Sequence, residues 1–233
     1  MNVMLIQNTM TQAADSLSMG SGSTQSLSYF ELAVKGGWVM IPIAILSVVA
    51  VYIFIERYVA IRNASKIDVN FMNRIKDYIH DGKIEPAIAL CQSTNNPVAR
   101  MIEKGINRLG RPLSDIHAAI QNVGQIEIYK LERGLPMLGS CASISPMLGF
   151  FGTVLGMVKT FMDMSSAGSS IDIGILSKGI YIALITTVGG LMVGIPAYFA
   201  YNYLVGRIEE MVNKLEGYTM EFMDLLYEPA KKN

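Results

Sequence analysis

Long parts of this chain carry no charge. Only 16% of its 233 residues are Asp, Glu, Lys or Arg, against roughly 25% in soluble proteins. Three stretches contain none: Gly36–Ile55 (20 residues), Gly134–Val158 (25) and Gly179–Gly206 (28). Each reaches the roughly 20 apolar residues that carry a helix across a bilayer at about 1.5 Å per residue. Histidine is missing from all three as well, His80 and His117 lying in a polar segment that suits solvated or packed imidazoles. Intramembrane hydrolysis needs Ser with His, or paired Asp, at depth, so an enzyme of that kind is excluded. The net charge is zero, which gives no reason to expect nucleic acid. Two cysteines, Cys91 and Cys141, supply neither a disulfide framework nor metal spacing, and no cofactor is implied. The first 35 residues lack a basic n-region followed by an apolar h-region. They do not read as a cleaved signal peptide, and the first span is expected to direct insertion. No β-hairpin signature and no internal repeat is present.

What charge there is lies unevenly. Of 19 basic residues, 12 fall between Arg57 and Arg133, and Arg207, Lys214, Lys231 and Lys232 follow the third apolar run. Lysine and arginine stay on the cytoplasmic side. The expected organisation is therefore a periplasmic segment 1–35, a first span 36–58, a helical cytoplasmic module 59–133, a second span 134–160, a short periplasmic loop 161–177 around SSAGSSIDIG, a third span 178–206 and a cytoplasmic tail 207–233. Residues 1–28, rich in Ser, Thr, Gln, Gly and Met, read as mobile or weakly amphipathic. Trp38 and Tyr58 stand near the two ends of the first span, where aromatic rings favour the headgroup region.

The fold class is all-α. In the polar module, Phe71, Ile75, Tyr78 and Ile79 form one helical stripe, and Met101, Ile102, Ile106 and Leu109 another. Asp68 is expected to cap the first of these helices. Asn96 followed by Pro97 reads as N-cap then N1 of another. Gly82 and Gly110-Arg111-Pro112 mark breaks. From Leu113 the helical pattern runs without a strong breaker into the second span, and RIEEMVNKLEGYTMEFMDLLY (207–227) prolongs the third. The module's charges, among them Arg100, Glu103, Lys104, Arg108 and Asp115, read as a solvated face.

Both later spans carry a face of small residues. The second has Ala142, Ser145, Gly149, Gly152, Thr153, Gly156 and Thr160; the third has Ala183, Thr187, Gly190, Gly194, Ala197 and Tyr201, in steps of three and four. Lipid tails are as apolar as leucine, so helices associate there by close backbone approach across small residues. The glycines and alanines read as packing seams. Thr153 and Thr187 leave two readings open: bonds back to their own helix, or hydroxyls turned into a cavity.

GGWVMIPIAILSVVAVYIFIERY resembles the first span of the MotA/TolQ/ExbB proton-channel family. SPMLGFFGTVLGMVKTF, followed by GIYIALITTVGGLMVGIPAYFAYN, is similar to its second and third spans. The likeness covers about Gly36 to Tyr203, and three spans rather than four put it on the ExbB/TolQ side. It implies a homo-oligomeric ring of five subunits in the inner membrane of a Gram-negative cell, around the membrane helices of a single-span partner such as ExbD or TolR. Such a complex uses the proton gradient to work a periplasm-spanning protein, TonB or TolA. By the same resemblance Thr153 and Thr187 face the pore, and Pro146 matches a proline of the second span; Pro196, with the glycines named above, shapes the helices. One position departs: Ile182 stands where relatives carry a glutamate.

Isoleucine binds no proton, and a proton crossing the membrane is worth about 2.3 kcal/mol per 100 mV. Coupling that energy to movement needs a group whose charge changes inside the membrane. The uncharged runs lack Asp, Glu, His, Lys and Arg, so the acid is expected on another chain; the resemblance implies that it is an aspartate in the partner's single span, received in a cavity lined by Thr153 and Thr187. Thr186 is expected to face its own bundle. Two rivals remain within reach of the sequence: a subunit for envelope maintenance of the TolQ kind instead of import through TonB, and a passive membrane scaffold.

Overall fold

The computed structural model describes residues 36–66, 68, 70–166 and 173–227. The readings for residues 1–35, the middle of the SSAGSSIDIG loop and the last six residues fall outside it. The described residues form α1 (Met40–Ala64), α2 (Phe71–His80), α3 (Ile84–Ser93), α4 (Pro97–Ile106), α5 (Leu113–Glu132), α6 (Leu135–Ser166) and α7 (Ile173–Tyr227), with no strand among them. Three stretches are long and apolar enough to cross a membrane: Met40–Ala64, Leu113–Ser166 and Leu176–Tyr227. The protein is thus an all-helical, multi-pass membrane protein. Its spans are apolar all round: Val48 and Ile55 on α1, Phe150 and Val158 on α6, and Leu184 and Phe199 on α7 are all exposed on the isolated chain. Such helices suit lipid or a neighbouring subunit rather than water.

Below the spans, the polar module wraps the prolonged end of α7. Phe71 and Ile75 of α2, Met101, Ile102 and Ile106 of α4, and Ile116 and Ile120 of α5 are buried with Ile208, Met211, Leu215 and Phe222 of α7 in one core. A Cβ on Gly105 would stand 2.7 Å from both Ile120 Cδ1 and Phe222 Cε1, so α4, α5 and α7 meet where any larger residue would displace those side chains. Asn96 caps α4 as its residue type requires, its Oδ1 accepting the Ala99 N–H at 2.7 Å, with Pro97 at the first helical position. Cys91 is buried and reduced, and burial, reinforced by the Glu103 carboxylate, pushes its thiol up to about 12.

Two expectations need correction. The helix from Leu113 does not run unbroken into the second span: Arg133 turns to an extended conformation and Gly134 to a φ of +89°, separating α5 from α6. Pro136, two residues on, explains the break, because it has no N–H to donate and its ring crowds the carbonyl four residues earlier. The Arg57 guanidinium, at the end of the first span, donates to the Lys130 carbonyl at 3.0 Å and so closes the frayed end of α5. Asp68 is not the N-cap of α2, which is Asn70. It sits two residues before the cap, where it accepts the Asn70 N–H at 3.0 Å and pairs with Arg74.

One carboxylate in the module is deeply placed. Glu127 is 3% exposed, yet both its oxygens are taken, by Arg100 at 2.5 Å and Lys130 at 2.7 Å. Burial alone would push its carboxyl up; the hydrogen bonds from Arg100 and Lys130 outweigh that and hold it below the usual range. A lowered folded value stabilises above the unfolded value, near 4.3, and the contribution disappears as pH falls through the folded one. Glu127→Gln is therefore expected to cost about 1–3 kcal/mol at neutral pH by weakening two charge-assisted bonds. It should also shallow the fall in stability below about pH 4, read from thermal unfolding of the detergent-solubilised protein across pH.

Candidate functional site

α6 and α7 touch backbone to backbone. A Cβ on Gly149 would lie 2.8 Å from the Thr186 carbonyl oxygen and 3.1 Å from the Gly190 Cα; one on Gly190 would lie 2.5 Å from the Ser145 carbonyl oxygen. Above and below, the seam continues on the residues that the small-residue spacing singles out. Gly156 faces Ala183, Gly152 faces Thr186, and Gly194 lies against Pro146 and the Ala142 carbonyl. Two members escape that pattern. Gly139 packs on Tyr201, and Gly179 lies so close to Thr160 that any side chain there would collide with its hydroxyl. Each sits one helical step before its spaced run, three residues ahead of Ala142 and four ahead of Ala183, which is the signal that would have included them.

Because the backbones approach this closely, three hydroxyls converge at the crossing. Thr153 Oγ1 donates back to Gly149 O at 3.3 Å and across to Ala183 O at 3.0 Å. Thr187 Oγ1 reaches across in the other direction to Gly149 O at 3.3 Å, and the Thr153 and Thr187 hydroxyls also bond to each other. Each threonine thus addresses the carbonyl one turn before the other. Thr186 adds a third hydroxyl, to Ala183 O at 2.7 Å and Gly149 O at 3.2 Å. Helix geometry already gives both carbonyls a backbone N–H, so three O–H donors crowd two acceptors that have one lone pair left apiece.

The three differ in access. Thr186 is 2% exposed and enclosed between the helices, as expected. Thr153 and Thr187 are half-buried and keep one side open. Both hydroxyls are engaged between the helices, and a carboxylate would be a stronger acceptor than either carbonyl, since hydrogen bonds to ionised groups are roughly twice as strong as neutral ones. Pro196 lies inside α7 and lines a groove against α1.

Ile182 has a different setting. It is half-buried and lines a cavity of about 560 Å³ with Trp38, Gly152, Thr186, Lys159, Asp163 and Lys178. That cavity is bounded by Thr186 rather than by Thr153 and Thr187. The charges at its rim lie just beyond the uncharged runs, so reading the runs alone left them out. Among the described residues no three of His, Cys, Asp and Glu come together to hold a metal.

The MotA/TolQ/ExbB proton channel family matches residues 93–217, more than half of the chain. Identity to a biopolymer transport protein ExbB homologue of Methanothermobacter thermautotrophicus is 29% over 187 residues, covering 80% of this chain and 66% of that protein. The Tol-Pal system protein TolQ of Haemophilus influenzae is 38% identical over 104 residues, 45% of either chain. TolQ of Pseudomonas aeruginosa is 28% identical over 200 residues, 81% of this chain and 86% of that one. The first two relatives are thus matched over less than two thirds of their length.

Gly190→Ala is expected to force the two backbones apart and destabilise the helix pair by about 1–3 kcal/mol, the usual cost of overpacking. Gly206→Ala, which would meet nothing within 4 Å, is expected to be neutral or to gain up to about 1 kcal/mol of helix propensity. Unfolding titrations with sodium dodecyl sulfate in mixed micelles measure both.

Proposed function

The chain belongs to the MotA/TolQ/ExbB proton channel family, and on that premise we propose that it is the ring-forming subunit of a transducer driven by the proton-motive force. Five copies enclose the membrane helices of an ExbD-like single-span partner in the inner membrane, the chain's N-terminus being periplasmic and its C-terminus cytoplasmic. The complex works a TonB-like protein to power uptake across the outer membrane.

One observation supports this reading: the half-buried Thr153–Thr187 pair sits in uncharged runs that contain no Asp, Glu, His, Lys or Arg. A titrating carboxyl must come from elsewhere, and the pair offers it donors. In the charged state the partner's aspartate accepts from both hydroxyls, which leave the Gly149 and Ala183 carbonyls. Protonation removes the charge, the hydroxyls return to the backbone, and the partner helix is released to move against an apolar wall. Low dielectric around the pair raises the aspartate's pKa and brings that switch towards working pH.

A role in envelope maintenance with a TolR- and TolA-like pair uses the same chemistry, and the likeness to two TolQ proteins supports it. Co-purification in detergent decides between the two. A small single-span protein with an aspartate in its membrane helix is expected, and its periplasmic domain identifies the pathway; a partner without an acid in its span overturns the transducer reading. Thr187→Val and Thr153→Val are each expected to lower gradient-dependent output about ten- to a hundredfold, the worth of a hydrogen bond to a charged group, while Thr153→Ser keeps it. A protonophore should abolish the output, whereas a passive scaffold would retain it.

A further inference from the structure

A groove runs between α1 and α7 and changes character along its length. Its apolar part, of about 640 Å³, is walled by Ala50, Val51 and Phe54 on one helix and by Val193, Phe199 and Tyr203 on the other, among other side chains. From Met192 to Tyr203 it extends about 16 Å at the helical rise, close to the ~15 Å of hydrocarbon in one leaflet. Tyr203 also lines the second part, a pocket of about 280 Å³ that holds Tyr58, Arg62 and Arg207. The two cavities therefore lie end to end. The Tyr58 and Tyr203 rings, 6.3 Å apart, stand at the junction, the level at which aromatic side chains meet headgroups.

The two arginines differ in their commitments. Arg207 pairs with Glu210, which Lys214 also holds at 2.7 Å. Arg62 makes no hydrogen bond or ion pair among the described residues, whereas the neighbouring Arg57 is spent on Glu56 and the Lys130 carbonyl. The pocket's lining holds Arg62 and Arg207 and no acid, and Glu210 offsets only Arg207, which leaves the mouth positive. An apolar trough one leaflet deep, ending in a positive pocket where the uncharged runs stop, matches an acyl chain joined to an anionic phosphate. We propose that this groove binds an anionic glycerophospholipid, its acyl chain along α1 and α7 and its phosphate between Arg62 and Arg207. The lipid would fill the gap between the first span and the α6–α7 pair.

Native mass spectrometry of the full-length protein, after exchange into detergent with phosphatidylglycerol or phosphatidylcholine, tests this. Phosphatidylglycerol should stay bound through washing that removes phosphatidylcholine. Arg62→Gln and Arg207→Gln should each weaken its retention about fivefold, as expected for one juxtamembrane cation. Ala200→Phe, which fills the trough without altering charge, should weaken it too. Glu210→Gln, which frees Arg207, should strengthen retention, a change that misfolding would not produce. Equal retention of the two lipids, indifference to the arginine changes, or displacement of the lipid by millimolar inorganic phosphate overturns the proposal. So does a photoprobe on Val51→Cys that captures a second copy of the chain instead of lipid, for the groove is then a seam between subunits.

Discussion

The proposed site depends on the backbone contact of α6 with α7 at Gly149 and Gly190. In a bilayer there is no gain from hiding leucine, so the pair is held by packing of main chain on main chain and by hydrogen bonds across the interface. A side chain at either glycine would meet a carbonyl oxygen or Cα at 3.1 Å or less. With both absent, the carbonyls of Gly149 and Ala183 come within reach of hydroxyls from the opposite helix. The close approach and the polar knot are one feature, since the threonines can cross over only where the backbones already touch.

That arrangement gives the site a built-in competition. Three hydroxyl protons share two carbonyl oxygens, and Thr153 and Thr187 also face each other. A charged acceptor that reached these donors would be preferred over the neutral carbonyls, since hydrogen bonds to ionised groups are roughly twice as strong. Thr186 is nearly fully buried at the crossing, where its hydroxyl bonds the Ala183 and Gly149 carbonyls.

Much of this was legible in the residues. Spans announce themselves by the absence of charge, and the seam by glycine, alanine and threonine at steps of three and four, because a bilayer permits few other solutions. Asn96-Pro97 reads correctly because capping is local. What escaped depends on tertiary distance. The break at Gly134 was hidden in an apparently continuous pattern, and Arg57, 73 residues before Lys130, closes it. Thr186 was set apart from Thr187 as facing its own bundle, but the bond from its hydroxyl to the Gly149 carbonyl was not legible, since the face of a helix that meets its neighbour is set by crossing geometry. Likewise the groove between α1 and α7 joins residues more than a hundred positions apart, and Arg62 is distinguished from Arg57 only by what each touches.

The account rests on the uncharged runs having no Asp, Glu, His, Lys or Arg of their own. Proton flux into vesicles that hold the purified chain without any partner, under an imposed gradient, addresses that claim directly. No flux above that of empty vesicles is expected, with conduction arising only when a partner span carrying an aspartate is added. Robust conduction by the chain alone would contradict it.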